Sequence, residues 1–210
     1  MNPHLINTSR TSRGFLTIEQ TLALAEAGNI VLDPFSVLIS AAVILGENNL
    51  FYPNVVIEAQ NAGKLTIGNG NIFYPNTLIL ADSGEVQIGN NGVFGDGGCS
   101  IKANLPTATI SIADNGRYCS GAQILGNSLL GNGTQVLGAI TVQNCTLEGG
   151  GDFTEADPDK RGAVLKGHGL ARNIHLATGD VLNGTGTFLQ AQTERQMRYH
   201  PKHTKVVSNI

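Results

Sequence analysis

Residues 112–142 read IADNGRYCSGAQILGNSLLGNGTQVLGAITV, and every sixth residue of this stretch is apolar. The apolar positions are Ile112, Tyr118, Ile124, Leu130, Val136 and Val142. This period matches neither a helix, at about 3.6 residues, nor a strand, at about two. It is typical of a chain that bends after each short strand, so that three strands form one coil of a triangular prism. The stretch therefore predicts an all-β fold, a single-stranded parallel β-helix.

The same spacing recurs on both sides of this stretch. The further runs are Ile39, Leu45, Phe51, Ile57; Ile67, Phe73, Ile79; Ile88, Phe94; and Val164, Leu170, Leu176, Leu182, Phe188. The position two residues before an apolar one also points inward and needs a small side chain. In the last run this position falls on His168 and Asp180, and burying an unpaired polar group costs roughly 2–7 kcal/mol. We therefore expect a distorted coil or a functional site there.

The remaining segments divide the chain. Residues 1–28 are predicted to be a loose tail (1–16) followed by a capping helix, because Thr17 and Gln20 form a capping-box pattern and Gly28 is a typical helix stop. Residues 29–190 form the β-helix, and residues 191–210 are predicted to be a C-terminal tail. Insertions are expected near 58–64, 97–109 and 149–162, the second as an outward loop because Ser100 and Pro106 occupy apolar positions.

An internal repeat supports stacked coils. The sequence NLFYPNVVI at 49–57 returns as NIFYPNTLI at 71–79. Stacking would place Asn49 and Asn71 one above the other. We expect an inward ladder of hydrogen-bonded amides at these positions.

Composition narrows the function classes. The formal net charge is −3 and the chain has no run of Lys or Arg, which argues against nucleic-acid binding. No apolar stretch approaches the length of a membrane span, and residues 1–11 lack the apolar core of a secretory signal. These features predict a cytoplasmic protein. Cys99, Cys119 and Cys145 match no zinc-binding pattern and are expected to be buried free thiols.

The segment Asp33–Glu58 resembles the opening coils of one known family. This family is the C-terminal β-helical acetyltransferase domain of bifunctional N-acetylglucosamine-1-phosphate uridyltransferase/glucosamine-1-phosphate acetyltransferase. The features that carry the resemblance are a leading helix at 17–27, the pair Asp33-Pro34, the turn Leu45-Gly46 and the pair Tyr52-Pro53. The resemblance implies a left-handed prism, a homotrimer, and acetyl-CoA-dependent acyl transfer to a small-molecule acceptor such as a sugar or an amine.

In that family a histidine between subunits acts as the general base. The matching stretch here runs from Lys166 through His175-Leu176 to Gly179-Asp180, which makes His175 the candidate base. His168 is the alternative base, and Asp180 is the candidate orienting carboxylate. The phosphates of acetyl-CoA need cations, for which Lys166 and Arg172 are the candidates.

Two other interpretations stay open. The stretch around His175 matches the catalytic pattern of that family only in part, and basic residues are few. Both features fit a non-catalytic solenoid used for assembly or ligand binding. A zinc enzyme of the γ-carbonic-anhydrase kind would need three histidines in neighbouring coils. Only two histidines lie in the predicted coils, whereas His4, His200 and His203 lie in the predicted tails.

Overall fold

The N-terminal end of the coils is covered by two short helices, α1 (Pro3–Thr11) and α2 (Ile18–Ala23). The computed structural model describes residues 3–200. The capping box is formed as predicted, because the Thr17 hydroxyl accepts from the Gln20 amide while Gln20 Oε1 accepts from the Thr17 amide. A 3₁₀ turn continues α2 to Ala27, and Gly28 ends it at a φ of 70°. Only glycine adopts this left-handed conformation without strain.

The prediction of a loose tail over residues 1–16 is wrong for residues 3–16, since α1 is anchored to the first coil, and residues 1–2 lie outside the described residues. The anchor is Arg10, only 5% exposed. Its guanidinium donates to the carbonyl oxygens of Pro34, Phe35 and Val37 at 2.7, 3.2 and 3.0 Å. These carbonyl groups lie in and just after the turn that begins at Asp33. They accept no hydrogen bond from a backbone amide of a neighbouring strand within residues 3–200. A buried arginine fork is therefore what fixes α1 to the coils.

The rest of the chain is almost entirely short parallel strands. In chain order the strands are β1 (Ile30–Val31), β2 (Leu38–Ile39), β3 (Ile44–Leu45), β4 (Leu50–Phe51), β5 (Val56–Gln60), β6 (Lys64–Ile67), β7 (Ile72–Phe73), β8 (Thr77–Asp82), β9 (Glu85–Ile88), β10 (Val93–Phe94), β11 (Cys99–Ala103), β12 (Thr109–Ile112), β13 (Arg117–Cys119), β14 (Ala122–Leu125), β15 (Ser128–Leu130), β16 (Gln135–Leu137), β17 (Ile140–Gln143), β18 (Thr146–Leu147), β19 (Val164–Arg172), β20 (His175–Leu176), β21 (Asp180–Thr187) and β22 (Glu194–Arg195).

These strands form three walls. Wall A stacks β1, β4, β7, β10, β13, β16 and the first part of β19. Wall B stacks β2, β5, β8, β11, β14, β17 and the last part of β19. Wall C stacks β3, β6, β9, β12, β15, β18 and β20. The architecture is a parallel β-solenoid that matches a left-handed β-helix, so the predicted fold class is confirmed.

The interior is the predicted aliphatic column with an aromatic stack along wall A. The rings of Phe51, Phe73, Phe94 and Tyr118 stack coil on coil with centroids 5.1–5.3 Å apart. The predicted amide ladder is also present and includes Asn29 as a third member. Tyr118 ends the aromatic stack, with its buried hydroxyl 2.8 Å from Thr134 Oγ1.

The insertions change the register in ways that the spacing did not predict. The 97–109 stretch is not an outward loop, because β11 lies in wall B with Ile101 between Ile79 and Ile124. Ser100 accordingly faces outward. In the last coils the inward residues are Leu165 and Ala171 rather than Val164 and Leu170. The corners between strands contain different numbers of residues. The residue that points into the interior is therefore one position later than the six-residue spacing predicts.

The C-terminal segment also differs from the prediction of a tail over 191–210. Strand β22 pairs antiparallel with β21, flanked by 3₁₀ turns at Gln190–Gln192 and Gln196–Arg198. The buried Gln196 side chain donates to the carbonyl oxygen of Gly162 at 2.7 Å. Residues 191–200 are thus packed on the last coils, and the remainder of the predicted tail lies outside the described residues. None of the helices within residues 3–200 has the length and apolar character of a bilayer-crossing segment.

Candidate functional site

The insertion at 149–162 folds back over wall A. It leaves wall C after β18, and its ends are held together by a bridge between Gly151 and Arg161. Inside it, Asp152 Oδ1 accepts from the Thr154 hydroxyl at 2.6 Å and from the Thr154 amide at 2.8 Å, which holds the pKa of this carboxyl below its usual range. The same turn directs Phe153 onto wall A, with its ring centroid 4.7 Å from the Arg117 guanidinium carbon.

The C-terminal segment forms the opposite side of the same surface. Arg195 bonds Asp180 at 2.8 Å and lies 3.5 Å from Asp159. Asp159 also accepts from the Met197 amide at 3.0 Å. These contacts tie residues 195–200 to the insertion, so that two segments distant in sequence enclose one part of wall A.

A cleft of about 270 Å³ lies between the two segments. Its floor is wall A, where Arg117, Gln135, Val164 and Val181 follow one another on successive coils. Leu137 and Lys166 form the neighbouring column. The cleft is lined by Arg117, Gln135, Leu137, Phe153, Arg161, Val164, Lys166, Val181, Gln196, Tyr199 and His200.

The formally charged side chains that line the cleft are all positive. Arg117, Arg161 and Lys166 contribute three cations, and the lining contains no carboxylate. None of the three forms an ion pair within residues 3–200. Arg161 is held by its Nε, which donates to the carbonyl oxygen of Glu155 at 2.8 Å.

Gln135 is the unusual polar residue of the cleft. It is 6% exposed, and its carboxamide makes no hydrogen bond within the described part of the chain. No side-chain nitrogen or oxygen that is fully enclosed lacks a partner in residues 3–200, so the Gln135 amide must open into the cleft. A buried amide directed into a cavity is a typical feature of a ligand site.

The residues predicted as a catalytic group are placed apart. His175 lies on wall C, 62% exposed, with Nε2 at 3.1 Å from Glu148 Oε1. Asp180 is bonded instead to Arg195 and to the Ala177 amide. His168 was predicted to point inward, but it is exposed at the corner between walls A and B, flanked by Gly167 and Gly169. The structure brings His175 to Glu148, a partner that the sequence did not suggest.

The two residues predicted to bind a cofactor are also separated. Lys166 lies in the cleft on wall A, whereas Arg172 lies on wall B and donates from Nε to Gln143 Oε1 at 2.9 Å. Within the described ranges, no three His, Cys, Asp or Glu side chains are grouped so as to hold a metal ion. His203, which the zinc hypothesis considered, lies outside those ranges.

Sequence reasoning missed Gln135 and Phe153 and did not assign Arg117 or Arg161 to a site. One signal was available for two of them. Arg117 and Gln135 each directly precede an inward residue of the six-residue pattern, three repeats apart, so they had to stack on one outer wall. The fold of the 149–162 insertion could not be read from spacing, and it supplies Phe153 and Arg161.

No protein-family model and no curated protein matches the chain. Among solved structures, the UDP-N-acetylglucosamine acyltransferase of Francisella novicida aligns over 82% of this chain and 74% of its own, with 14% sequence identity and a TM-score of 0.28. A likeness this weak carries no information about the substrate or the reaction of this chain. The bifunctional family that Asp33–Glu58 resembles is not confirmed by it.

Proposed function

We propose that this β-helix binds a small molecule in the cleft on wall A. The observation that carries the proposal is the carboxamide of Gln135, a residue only 6% exposed, which opens into the cleft and makes no hydrogen bond within residues 3–200. Solvent reaches the amide nitrogen and oxygen through the cleft, so a ligand that bonds them would replace water at this position.

The size of the cleft limits the ligand. Sites for drug-sized molecules have volumes of about 300–1,000 Å³. At about 270 Å³, this cleft suits a ligand at or below the small end of that range. Its apolar floor of Val164 and Val181 supports a compact ligand with an apolar part.

Acetyl-CoA does not fit this cleft. The molecule carries a nucleotide with three phosphate groups and a long pantetheine arm, which exceed the available volume. Lys166 and Arg172 lie on different walls and cannot hold the same phosphates within one chain. We therefore derive no reaction step through this cofactor.

A second candidate function is acyl transfer to a sugar or an amine, and the His175–Glu148 contact favours it. A carboxylate beside one ring nitrogen fixes the imidazole orientation, which leaves the other nitrogen able to take a proton from an acceptor. In this proposal His175 is the base, Glu148 is a positioning residue, and acetyl-CoA binds outside the cleft. A homotrimer belongs to the same proposal and comes from the resemblance of Asp33–Glu58. A cytoplasmic location also remains a proposal, and it comes from the composition of the sequence.

The binding proposal is tested by filling the cleft. Leu137→Trp introduces a bulky ring among the lining residues, and Leu80→Trp makes the same change at a half-buried outward position of wall B. In a thermal-shift screen of small metabolites, ligands should raise the Tm of the wild type and of Leu80→Trp but not of Leu137→Trp. Equal shifts in all three proteins would place binding elsewhere.

The acyl-transfer proposal is tested separately. Release of free thiol from acetyl-CoA is measured with mixed sugar and amine acceptors for the wild type, His175→Ala, Glu148→Gln and the control His168→Ala. We expect loss of activity in His175→Ala, a changed pH profile in Glu148→Gln and no change in His168→Ala. Activity that survives in His175→Ala would remove this residue from the role of base.

A further inference from the structure

The charge of the cleft identifies the class of ligand, given the binding function proposed above. We infer that the cleft binds a small organic anion, with one phosphate or carboxylate group attached to a short apolar body. Arg117, Arg161 and Lys166 supply three positive charges at a surface without a carboxylate. The chain as a whole carries a net charge of −3, so this concentration of cations is local.

Three cations close to the cleft in the sequence are paired with carboxylates, whereas within residues 3–200 the three cations that line the cleft are not. Lys160 pairs with Asp157, Arg195 with Asp159 and Asp180, and Arg198 with Glu194. Acidic partners are therefore plentiful in this part of the chain. None of the three cations of the cleft forms an ion pair with these carboxylates, although the Arg161 charge reaches the nearby Asp152 carboxyl.

The two arginines are held in fixed orientations. Arg161 donates a hydrogen bond from Nε to the Glu155 carbonyl oxygen. The two terminal amino groups of Arg161 remain available as donors to a ligand. The Arg117 guanidinium lies over the Phe153 ring, a cation–π contact that orients the group and leaves its edge available. A guanidinium fork held in place binds carboxylate and phosphate oxygens with less loss of conformational entropy than a free side chain.

Gln135 adds selectivity beside the charges. It is the direct neighbour of Arg117 on the next coil, and adjacent strands lie about 4.8 Å apart. Its amide can donate one hydrogen bond to the anionic group and accept another from a hydroxyl or amine of the ligand. The apolar floor beyond it, Val164 and Val181, would carry the body of the ligand.

The same geometry argues against a polymeric anion. Nucleic acid binds to an extended row of cations along an open surface. Here the cations line one partly open cleft of about 270 Å³ between the insertion and the C-terminal segment. A compact ligand is the occupant that this shape and charge support.

The test uses calorimetric titration of the full chain with four probes. Phenyl phosphate, benzoate and inorganic phosphate are the anionic probes, and benzamide is the neutral match for benzoate. The variants are Lys166→Met, Arg161→Met and the control Lys160→Met, whose side chain pairs with Asp157 and lies outside the lining. Circular dichroism and Tm verify that each variant is folded.

We expect phenyl phosphate or benzoate to bind the wild type and Lys160→Met with equal affinity. Binding should weaken about 10-fold or more in Lys166→Met and Arg161→Met, since a hydrogen bond to a charged group contributes about 1.5–3 kcal/mol. Binding should also weaken as the salt concentration rises, and benzamide should not compete.

Two results overturn the inference in distinguishable ways. If benzamide binds as tightly as benzoate, and Leu137→Trp but not Lys166→Met abolishes binding, the cleft is a ligand site without preference for anions. If the anions bind the wild type, Lys166→Met and Leu137→Trp alike, binding is superficial and both proposals fail. Absence of binding by all three anionic probes at millimolar concentration also overturns the anion inference, whereas the small-molecule screen still decides the binding function.

Discussion

Asn71 donates a hydrogen bond from Nδ2 to Oδ1 of Asn49 at 3.1 Å, and both side chains are fully buried. The same Asn49 oxygen accepts from the Asn71 backbone amide at 2.9 Å. Asn71 in turn donates to the Gly89 carbonyl and accepts from the Gly92 amide. The Asn71 side chain therefore bonds the ladder residue of the preceding coil and satisfies two backbone groups at the corner of the following coil.

Asn71→Leu should strongly destabilise the protein. It leaves the Gly92 amide and the Gly89 carbonyl unpaired in the interior, and each buried unsatisfied group costs about 1–3 kcal/mol. We expect a loss of about 3 kcal/mol or more in the free energy of unfolding, measured by urea titration. Gln87→Leu, the matched control on the exposed side of β9, should change it by less than about 0.5 kcal/mol. Equal losses in the two variants would contradict the role of the ladder.

Gly167→Ala should disrupt the stacking of the last coil. Gly167 has a φ of +114°, and an added Cβ would lie 2.0 Å from the Gly184 carbonyl oxygen. Backbone atoms must move to accept this methyl group, so we expect a loss of about 2–4 kcal/mol in unfolding free energy.

Gly186→Ala is the control for this change. Gly186 also has a positive φ, +76°, but no heavy atom lies within 4 Å of the added Cβ. Only conformational strain of about 1–2 kcal/mol remains. Thermal unfolding of the two variants separates steric contact from strain, and a Gly186→Ala variant as unstable as Gly167→Ala would contradict the stacking argument.

Arg10→Met should detach α1 from the first coil. The substitution keeps most of the apolar stem but leaves the carbonyl oxygens of Pro34 and Val37 without donors. We expect a loss of about 3 kcal/mol in unfolding free energy and faster hydrogen exchange in α1 and α2. The exposed neighbour Arg13 provides the control, and Arg13→Met should leave both measurements unchanged.

Cys99 should be unreactive in the native protein. Burial, with a smaller contribution from nearby Cys119, raises the pKa of its thiol to about 12. At pH 8 only about one thiol in ten thousand is then ionised, and the thiolate is the reactive form. Peptide mapping after iodoacetamide treatment should show modification of Cys99 only in urea.

The same pKa shift makes stability dependent on alkaline pH. An unfolded thiol has a pKa of about 8.5, so its ionisation favours the unfolded chain above that pH. The stabilising contribution is complete below about pH 8.5 and disappears as the pH rises toward 12. Unfolding free energies of Cys99→Ala should therefore fall less steeply than those of the wild type between pH 8 and pH 11.

The six-residue spacing predicted the three walls, and two stacked asparagines predicted the ladder, because both follow from regular repetition. Register after an insertion was not predictable. Spacing alone cannot show that Ile101 replaces Ser100 as the inward residue, since this depends on how many residues a corner absorbs. The site depended on contacts between distant segments, such as Arg195 with Asp159, and no local pattern in the sequence encodes such contacts.

Each coil of this fold rests on the coil before it, and the first rests on two helices that precede it in the chain. A chain emerging from the ribosome could therefore add one layer at a time to a finished template, without waiting for its later residues. The cleft is the exception, because its walls include the last described segment. Ligand recognition would then be acquired only once residues 191–200 have emerged, after most of the column is already built.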